Sequence, residues 1–387
     1  MDSIISQIEA LARNADAEGR KGILSALQDL QGRLEPPTEV FIKLYNSHIQ
    51  VAVVYVAVQL GLFKGLAKDA SATLTVAELA ETCNASPDLL ERILRYLSSV
   101  GFISNVGPGQ FRANRTTFVL ANPLADAGVI HAFDTCGPAI QAFPAFLADT
   151  KYQDITSNSN TPFQKGFHTD LTCFQWLPQQ PRLFGAMQTV MTAFQSSDWV
   201  TGCSLLDSEA KLTAVGQLQH SEKPFFVDVG GGYGHQCVQL RDKYPNLHGR
   251  IVLEDLPAAV DELPPIDGVA VIAQDFFEKQ TVEGAKFYYL RRIMHDWPDE
   301  QCISILQNIA AVMSSESRIL IDESVLPDVN TNWHAAMADI MMGVLFAGKE
   351  RTKEQWEKLV AKSGLRLADI HTYNVLEYNS IIVLEPQ

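Results

Sequence analysis

The stretch that most constrains this chain is Phe225-Phe226-Val227-Asp228-Val229-Gly230-Gly231-Gly232-Tyr233-Gly234-His235. An apolar run ends in clustered glycines, and a helical pattern follows from Gln236 to Lys243. That order reads as a buried parallel strand, a tight turn and a helix start. Positions without side chains at Gly230, Gly232 and Gly234 let a ligand approach the backbone closely. The spacing is G-x-G-x-G, and His235 stands where the last glycine of a dinucleotide fingerprint would fall. Three more strand patterns follow: 249–253 ends at Glu254-Asp255, 268–273 ends at Gln274-Asp275-Phe276, and 285–290 runs into Arg291 and His295. An acid closing the second strand of such a unit usually binds ribose hydroxyls, and Glu254 and Asp255 both qualify. Polar or glycine residues at successive strand ends imply a doubly wound α/β sheet, with the ligand crevice at the strands' carboxyl ends.

At 387 residues the chain has room for two domains or one large one. Its net charge of -15 argues against a nucleic-acid partner, because phosphate binding needs clustered Lys and Arg. Six scattered cysteines form no C-x-x-C pair, so reduced thiols and a cytoplasmic location are expected. The first 34 residues are amphipathic and charged and do not read as a signal peptide. No uninterrupted apolar run reaches the length of a membrane span, so no membrane partner is expected.

Residues 2–34 carry Ile4, Ile5, Ile8, Leu11, then Ile23, Leu24, Leu27 and Leu30 at helical spacing, with Gly19 and Gly22 as the expected break. Residues 38–66 form a helical stretch apolar on most sides, which implies deep burial or a subunit interface. Thr75 and Glu78 make a capping box, and Pro87 suits the first position of a helix. A hairpin pattern flanks Gly107-Pro108-Gly109. Two helices and a hairpin outline a winged helix, which on an acidic chain reads as a structural and dimerising module. Residues 121–208 are mainly helical and rich in aromatic and Met residues, 207–222 form a polar connector, and 223–387 hold the sheet. Seven strands with a terminal hairpin, and helices over 333–346 and 352–364, complete the outline.

The pieces VDVGGGYGH, LEDLP, QDFF, HDWPDEQC, DESVLP and AGKERT occur in that order. Together they resemble the S-adenosylmethionine-dependent O-methyltransferases of the plant and fungal small-molecule type. The resemblance implies a Rossmann-like methyltransferase sheet with an N-terminal α-helical, winged-helix dimerisation domain. It divides the chain into 1–120 (dimerisation), 121–222 (helical connector and substrate pocket) and 223–387 (donor-binding domain), working as an intertwined homodimer. Asp228, Gly230 and Gly232 would meet the methionine end of the donor. Asp255 would bind the ribose, with Glu254 as the competing acid, and Asp275 and Phe276 would frame the adenine. Arg291 stands where the family usually carries a Lys near the donor.

Methyl transfer to a hydroxyl needs a base within reach, because a protonated phenol or alcohol is a poor nucleophile. His295 follows a strand end beside the donor site, and neutral imidazole suits the task. The resemblance implies Glu323 and Glu350 as its flanking acids. The substrate pocket would draw on Phe41, His131, Phe133, Phe174, Trp176, Met187 and Asp296, although aromatic and Met residues at helical spacing are more often core. No His/Asp/Glu constellation has metal-ligand spacing, so no metal is expected. The substrate class implied is a neutral or phenolic aromatic or polyketide-derived natural product.

A second function stays open. Some fungal proteins similar to this family keep the S-adenosylmethionine site, transfer no methyl group, and steer dehydration and pericyclic cyclisation. His295 with both acids favours methylation, while His131 near aromatic residues would suit a carbonyl or quinone methide oxygen. A third reading, a catalytically dead dimeric binding protein, would be expected to lose motif residues, and this chain keeps almost all of them.

Overall fold

A computed structural model describes residues 2–194, 196–214, 223–261 and 263–387. The expected polar connector at 207–222 begins as the end of helix Ser204–Ala214, and its remainder at 215–222 lies outside the described residues. The chain forms two compact units, 1–133 and 134–387, so the helical stretch expected at 121–222 is divided between them.

In the first unit α1 is Asp2–Asn14, α2 is Ala17–Leu34 and α3 is Pro37–Gln59. The break between α1 and α2 falls at Asp16, which corrects the expectation at Gly19 and Gly22. The Asp16 carboxylate accepts the Gly19 amide at 2.8 Å, and an Asp N-cap outweighs the modest helix cost of two glycines. α3 stops at Leu60, where Gly61 at φ 66° turns the chain into Leu62–Ala67, so the expected 38–66 helix is two helices. The Thr75–Glu78 capping box is present, with reciprocal bonds of 2.7 and 3.3 Å. Strands Ser104–Gly107 and Gln110–Arg112 form the hairpin, and Leu74–Thr75 extends it to three strands. Leu62, Phe63, Leu79, Leu90, Leu94, Leu97 and Phe111 make this unit's core.

Only Val54 and Ala57 of α3 are buried, and Phe41, Leu44 and Tyr45 are 67–71% exposed. α3 is long and apolar enough to cross a membrane by length and average composition, although no uninterrupted apolar run in it reaches that length. Scattered polar residues such as Asn46 and His48 break the run without removing its average apolar character. One such helix is weak evidence for a membrane.

The second unit is organised by a mixed sheet of β1 Phe226–Val229, β2 Ile251–Asp255, β3 Val269–Ala273, β4 Phe287–Arg291, β5 Arg318–Leu326, β6 Arg351–Thr352, β7 Leu365–Asn374 and β8 Asn379–Pro386. The order is β7-β8-β5-β4-β1-β2-β3, with β6 paired to the end of β5. β8 runs antiparallel to β5 and β7, and the other pairs are parallel. β1 is buried along its whole length, as an inner parallel strand covered on both faces should be. Val227, Tyr288, Leu290 and Ile321 pack on one face with Ile305, Leu306 and Trp356. Phe226, Phe287, Tyr289 and Leu320 pack on the other with Trp199, Cys237 and Leu240. Each fully buried side chain of this size contributes roughly 1.5–3 kcal/mol. These layers fix the strand ends from which the site is built.

Candidate active site

β1 ends at Val229, and the next residues need backbone conformations that side chains resist: φ is 72° at Gly230, 54° at Gly232 and 74° at Gly234. The Gly230 and Gly231 amides both donate to the Glu254 carbonyl, at 2.8 and 3.0 Å, tying the turn to the end of β2. The Gly232 amide donates to Asp255 Oδ2 at 2.8 Å. Glu254 points to the other face, fully buried, and accepts from Gln280 at 2.7 Å. Strand alternation thus separates the two neighbouring acids, and Asp255 is the one at the turn.

A Cβ on Gly232 would meet nothing within 4 Å, so open space lies against that backbone. A Cβ on Gly230 would lie 2.7 Å from Ile293 and 3.6 Å from Phe276, which marks these side chains as the border of the turn. Ile293 had no sequence signal beyond its apolar character. Asp228 lies beneath the turn, 1% exposed, and accepts from the Cys237 thiol at 3.4 Å. Burial pushes its carboxyl up to about 7. Asp275 accepts the Phe277 amide at 2.9 Å, and Phe276 meets Trp297 edge-on at 5.9 Å. Arg291 pairs with buried Asp322 at 3.3 Å and donates to the Ser196 carbonyl at 3.3 Å. Asp322 also accepts from Tyr289 at 2.6 Å and Tyr373 at 2.7 Å.

Beyond β4 a single turn, Met294–Asp296, presents His295. Its Nδ1 donates to Glu350 Oε1 at 2.8 Å and lies 3.7 Å from Glu323 Oε2. Its Nε2 lies 3.5 Å from Asp296 Oδ1. Glu323 Oε1 accepts the amides of Met294 and His295, at 3.0 and 3.3 Å. Pairing of β6 with β5 brings Glu350 to this place. The chain before it passes so close that a Cβ on Gly348 would lie 1.9 Å from the His295 carbonyl. His295, Glu323 and Glu350 are all buried.

Burial disfavours an imidazolium here, yet Glu323, Asp296 and Glu350 hold the His295 pKa up to about 10. Burial pushes Asp296 up to about 6 and raises Glu323 as well. Burial also acts to raise Glu350, but the bond from His295 holds it below its ordinary value. These opposed shifts favour a proton held between His295 and Glu350. The donor atoms of His295, Glu323 and Glu350 lie within 4.8 Å of one another, a metal-sized grouping that sequence spacing does not reveal. The residues are 28 and 55 positions from His295 and meet only through the sheet. The 2.8 Å hydrogen bond joins His295 to Glu350 within this group.

Phe174 stacks on Phe346 at 4.7 Å and on Trp297 at 5.6 Å. Phe174 and Phe346 line a small cleft with Asn158, Thr172, Cys173, Asp296 and Leu345. Trp176 packs with Phe163 and Phe167 next to it, and Met187 is half-buried on helix Pro181–Met191. Phe41, His131 and Phe133 belong to the first unit. Phe41 is exposed on α3, and Phe133 stacks on Tyr55 at 4.4 Å. His131 opens the π-helical turn His131–Cys136, with a buried Nδ1 that has no partner among the described residues.

A glycine turn closing the first strand, an acid closing the second, and a buried His–Glu pair at later strand ends describe a donor-binding methyltransferase sheet. Residues 157–366 match the O-methyltransferase domain, and 42–121 match the O-methyltransferase dimerisation domain. The chain belongs to the S-adenosylmethionine-dependent O-methyltransferase family and is an enzyme of that family. It is 37% identical over 384 residues to demethylsterigmatocystin 6-O-methyltransferase of Aspergillus flavus, covering 99% of this chain and 98% of that one. The structure of a LepI variant with SAH and a substrate analogue matches with a TM-score of 0.90 at 37% identity, covering 100% of this chain and 98% of that one. A structure described as a pericyclic reaction enzyme matches with a TM-score of 0.87 at 36% identity, covering 100% and 99%. The expected fold and donor are borne out.

Proposed function

We propose that this enzyme methylates a hydroxyl of an aromatic or polyketide-derived small molecule, with His295 as the proton acceptor. The observation that carries this reading is the buried His295–Glu350 pair backed by Glu323. Bound S-adenosylmethionine supplies an electrophilic methyl group on a sulfonium leaving group. Gly230, Gly232, Asp255, Asp275 and Phe276 would hold it, and the open space against Gly232 fits a ligand on the backbone. Asp228 would shape the turn from beneath, and Arg291 would brace the donor crevice through Asp322.

His295 Nδ1 is committed to Glu350, which leaves Nε2 for the acceptor hydroxyl. The neighbouring carboxylates raise the His295 pKa, which makes its neutral form a stronger base toward an acceptor hydroxyl. The free site holds the proton near neutrality, and its basic form grows as pH rises. Phe174, Phe346 and Trp297 would form an aromatic wall beside the acceptor and exclude water. Alignment can be worth ~7–11 kcal/mol, and general-base assistance about 10²–10⁴-fold in rate. The dimerisation domain supports a homodimer, for which the exposed apolar face of α3 is the natural interface. Six cysteines, none in a disulfide, fit a cytoplasmic setting, and the acidic chain fits neither nucleic acid nor an anionic membrane surface.

One observation favours a second reading. The chain matches a structure described as a pericyclic reaction enzyme, and a protonated His295 would be a hydrogen-bond donor able to steer dehydration and pericyclic cyclisation without methyl transfer. Mass spectrometry of products from an aromatic and polyketide panel with S-adenosylmethionine tests both. A gain of one methyl with stoichiometric S-adenosylhomocysteine supports transfer. A dehydrated or isomerised product with the donor unconsumed refutes it in favour of cyclisation.

A further inference from the structure

We propose that Arg351 is a positioning residue for His295, fixing the imidazole by gripping the backbone on both sides of it. Two sequence pieces, HDWPDEQC and AGKERT, supply His295 and Glu350, and Asp299, Cys302 and Arg351 within them have so far had no role. The Arg351 guanidinium joins them. It is 1% exposed. Nη1 donates to the Met294 carbonyl at 2.9 Å and Nη2 to the Trp297 carbonyl at 3.1 Å. Nε and Nη2 reach the Asp299 carboxylate at 3.1 and 2.8 Å. The same two carbonyls accept from the Cys302 thiol, at 3.1 and 3.3 Å. The guanidinium lies 5.2 Å from the centre of the Trp356 ring, which fixes its plane.

The direction of these contacts makes the case. Apart from the Lys349 carbonyl in its own segment, the hydrogen bonds of the Arg351 guanidinium go to residues 294–302. The two carbonyls it takes, at 294 and 297, bracket His295 and Asp296. On the opposite edge Glu323 takes the amides of Met294 and His295. The turn's donors thus go to a carboxylate that also faces the imidazole, and its acceptors go to the residue that follows Glu350. Any drift of the turn would lengthen the Nδ1–Glu350 bond. A guanidinium holds several acceptors at once through a planar fork, which the single ammonium of Lys does not reproduce.

This inference rests on the reading of His295 as the proton acceptor. Its test uses the full-length enzyme with Arg351→Lys, which keeps the positive charge and loses the fork. The groups facing His295 are Glu323 on β5, Glu350 before β6 and Asp296 on its own turn, with Arg292 acting on all three carboxylates. All remain in the variant. We expect S-adenosylhomocysteine affinity within twofold of wild type, because the Arg351 guanidinium makes no hydrogen bond to Gly230, Gly232, Asp255, Asp275 or Phe276. We expect kcat to fall about 10- to 100-fold, as displacements near 1 Å do in active sites. The ¹⁵N signals of the His295 ring should show a lower titration midpoint than in wild type. If Arg351→Lys does not fold, Asp299→Asn keeps Arg351 and removes its anchor; kcat should fall about 3- to 10-fold with donor affinity kept, the range of one hydrogen bond. A folded variant with wild-type kcat and an unchanged His295 titration overturns the proposal, as does a lower melting temperature with neither readout moved. The base reading fails separately: wild-type kcat in His295→Ala would sink it, while the ring signals of Arg351→Lys would still report on positioning.

Discussion

The glycine turn and the His295 cluster stand at carboxyl ends of strands in one sheet, yet they are built in opposite ways. The turn is local: Gly230 to Gly234 fold back on the end of β2 through amides bonded to the Glu254 carbonyl and the Asp255 carboxylate. The cluster is long-range: His295 follows β4, Glu323 lies on β5, and Glu350 precedes β6. The first site works by lacking side chains. The second works by charged side chains so enclosed that each sets the protonation of the others. The turn should therefore be damaged by adding atoms and the cluster by removing charge, and the two kinds of damage should appear in different measurements.

The largest separation should come from His295→Ala. Turnover should fall by about 10²–10⁴-fold, the range for loss of a general base, while calorimetry gives wild-type affinity for S-adenosylhomocysteine. Parallel loss of affinity would mean that the two sites are one. Gly232→Val should do the reverse. A branched side chain at φ 54° carries roughly 1–2 kcal/mol of strain and enters the open space against the backbone. Donor binding should weaken at least about tenfold in a folded protein; unchanged affinity would remove the turn from the donor site. Glu350→Gln should lower kcat about tenfold, the size of a charged hydrogen bond. Glu350 raises the His295 pKa, so its neutral replacement should also move the alkaline limb of the pH–rate profile to lower pH. A limb that stays in place or moves up would contradict the pairing. Glu323→Gln should cost least, about 2- to 5-fold, because the amide oxygen can still accept from Met294 and His295. An effect larger than that of Glu350→Gln would reverse their order.

The same contrast governs what could be read without coordinates. The turn lies within eleven consecutive residues, and its φ values are those that its glycines suggest. The Thr75 helix cap was visible for the same reason, since capping works over three positions. Glu254 and Asp255 could not be separated until the phase of β2 was known, because strand neighbours face opposite ways. Glu323 and Glu350 were legible only through resemblance, since nothing local places them near His295. The start of α2 was misplaced because Asp16 caps more strongly than Gly19 and Gly22 disrupt. Arg351 was passed over because a charged residue in a loop motif reads as surface until its burial is known.

The pH dependence of kcat/KM for a phenolic acceptor, at saturating donor, tests the central claim most directly. If buried carboxylates make His295 the proton acceptor, activity requires the neutral imidazole. The rate should then rise with pH across the neutral-to-alkaline range toward about 10, and this limb should be absent in His295→Ala. A rate that falls over that range, or a limb that persists in His295→Ala, would contradict the account. In the first case the imidazolium would be the active form, and in the second the titrating group would be another residue or the phenol itself, whose ordinary pKa is about 10.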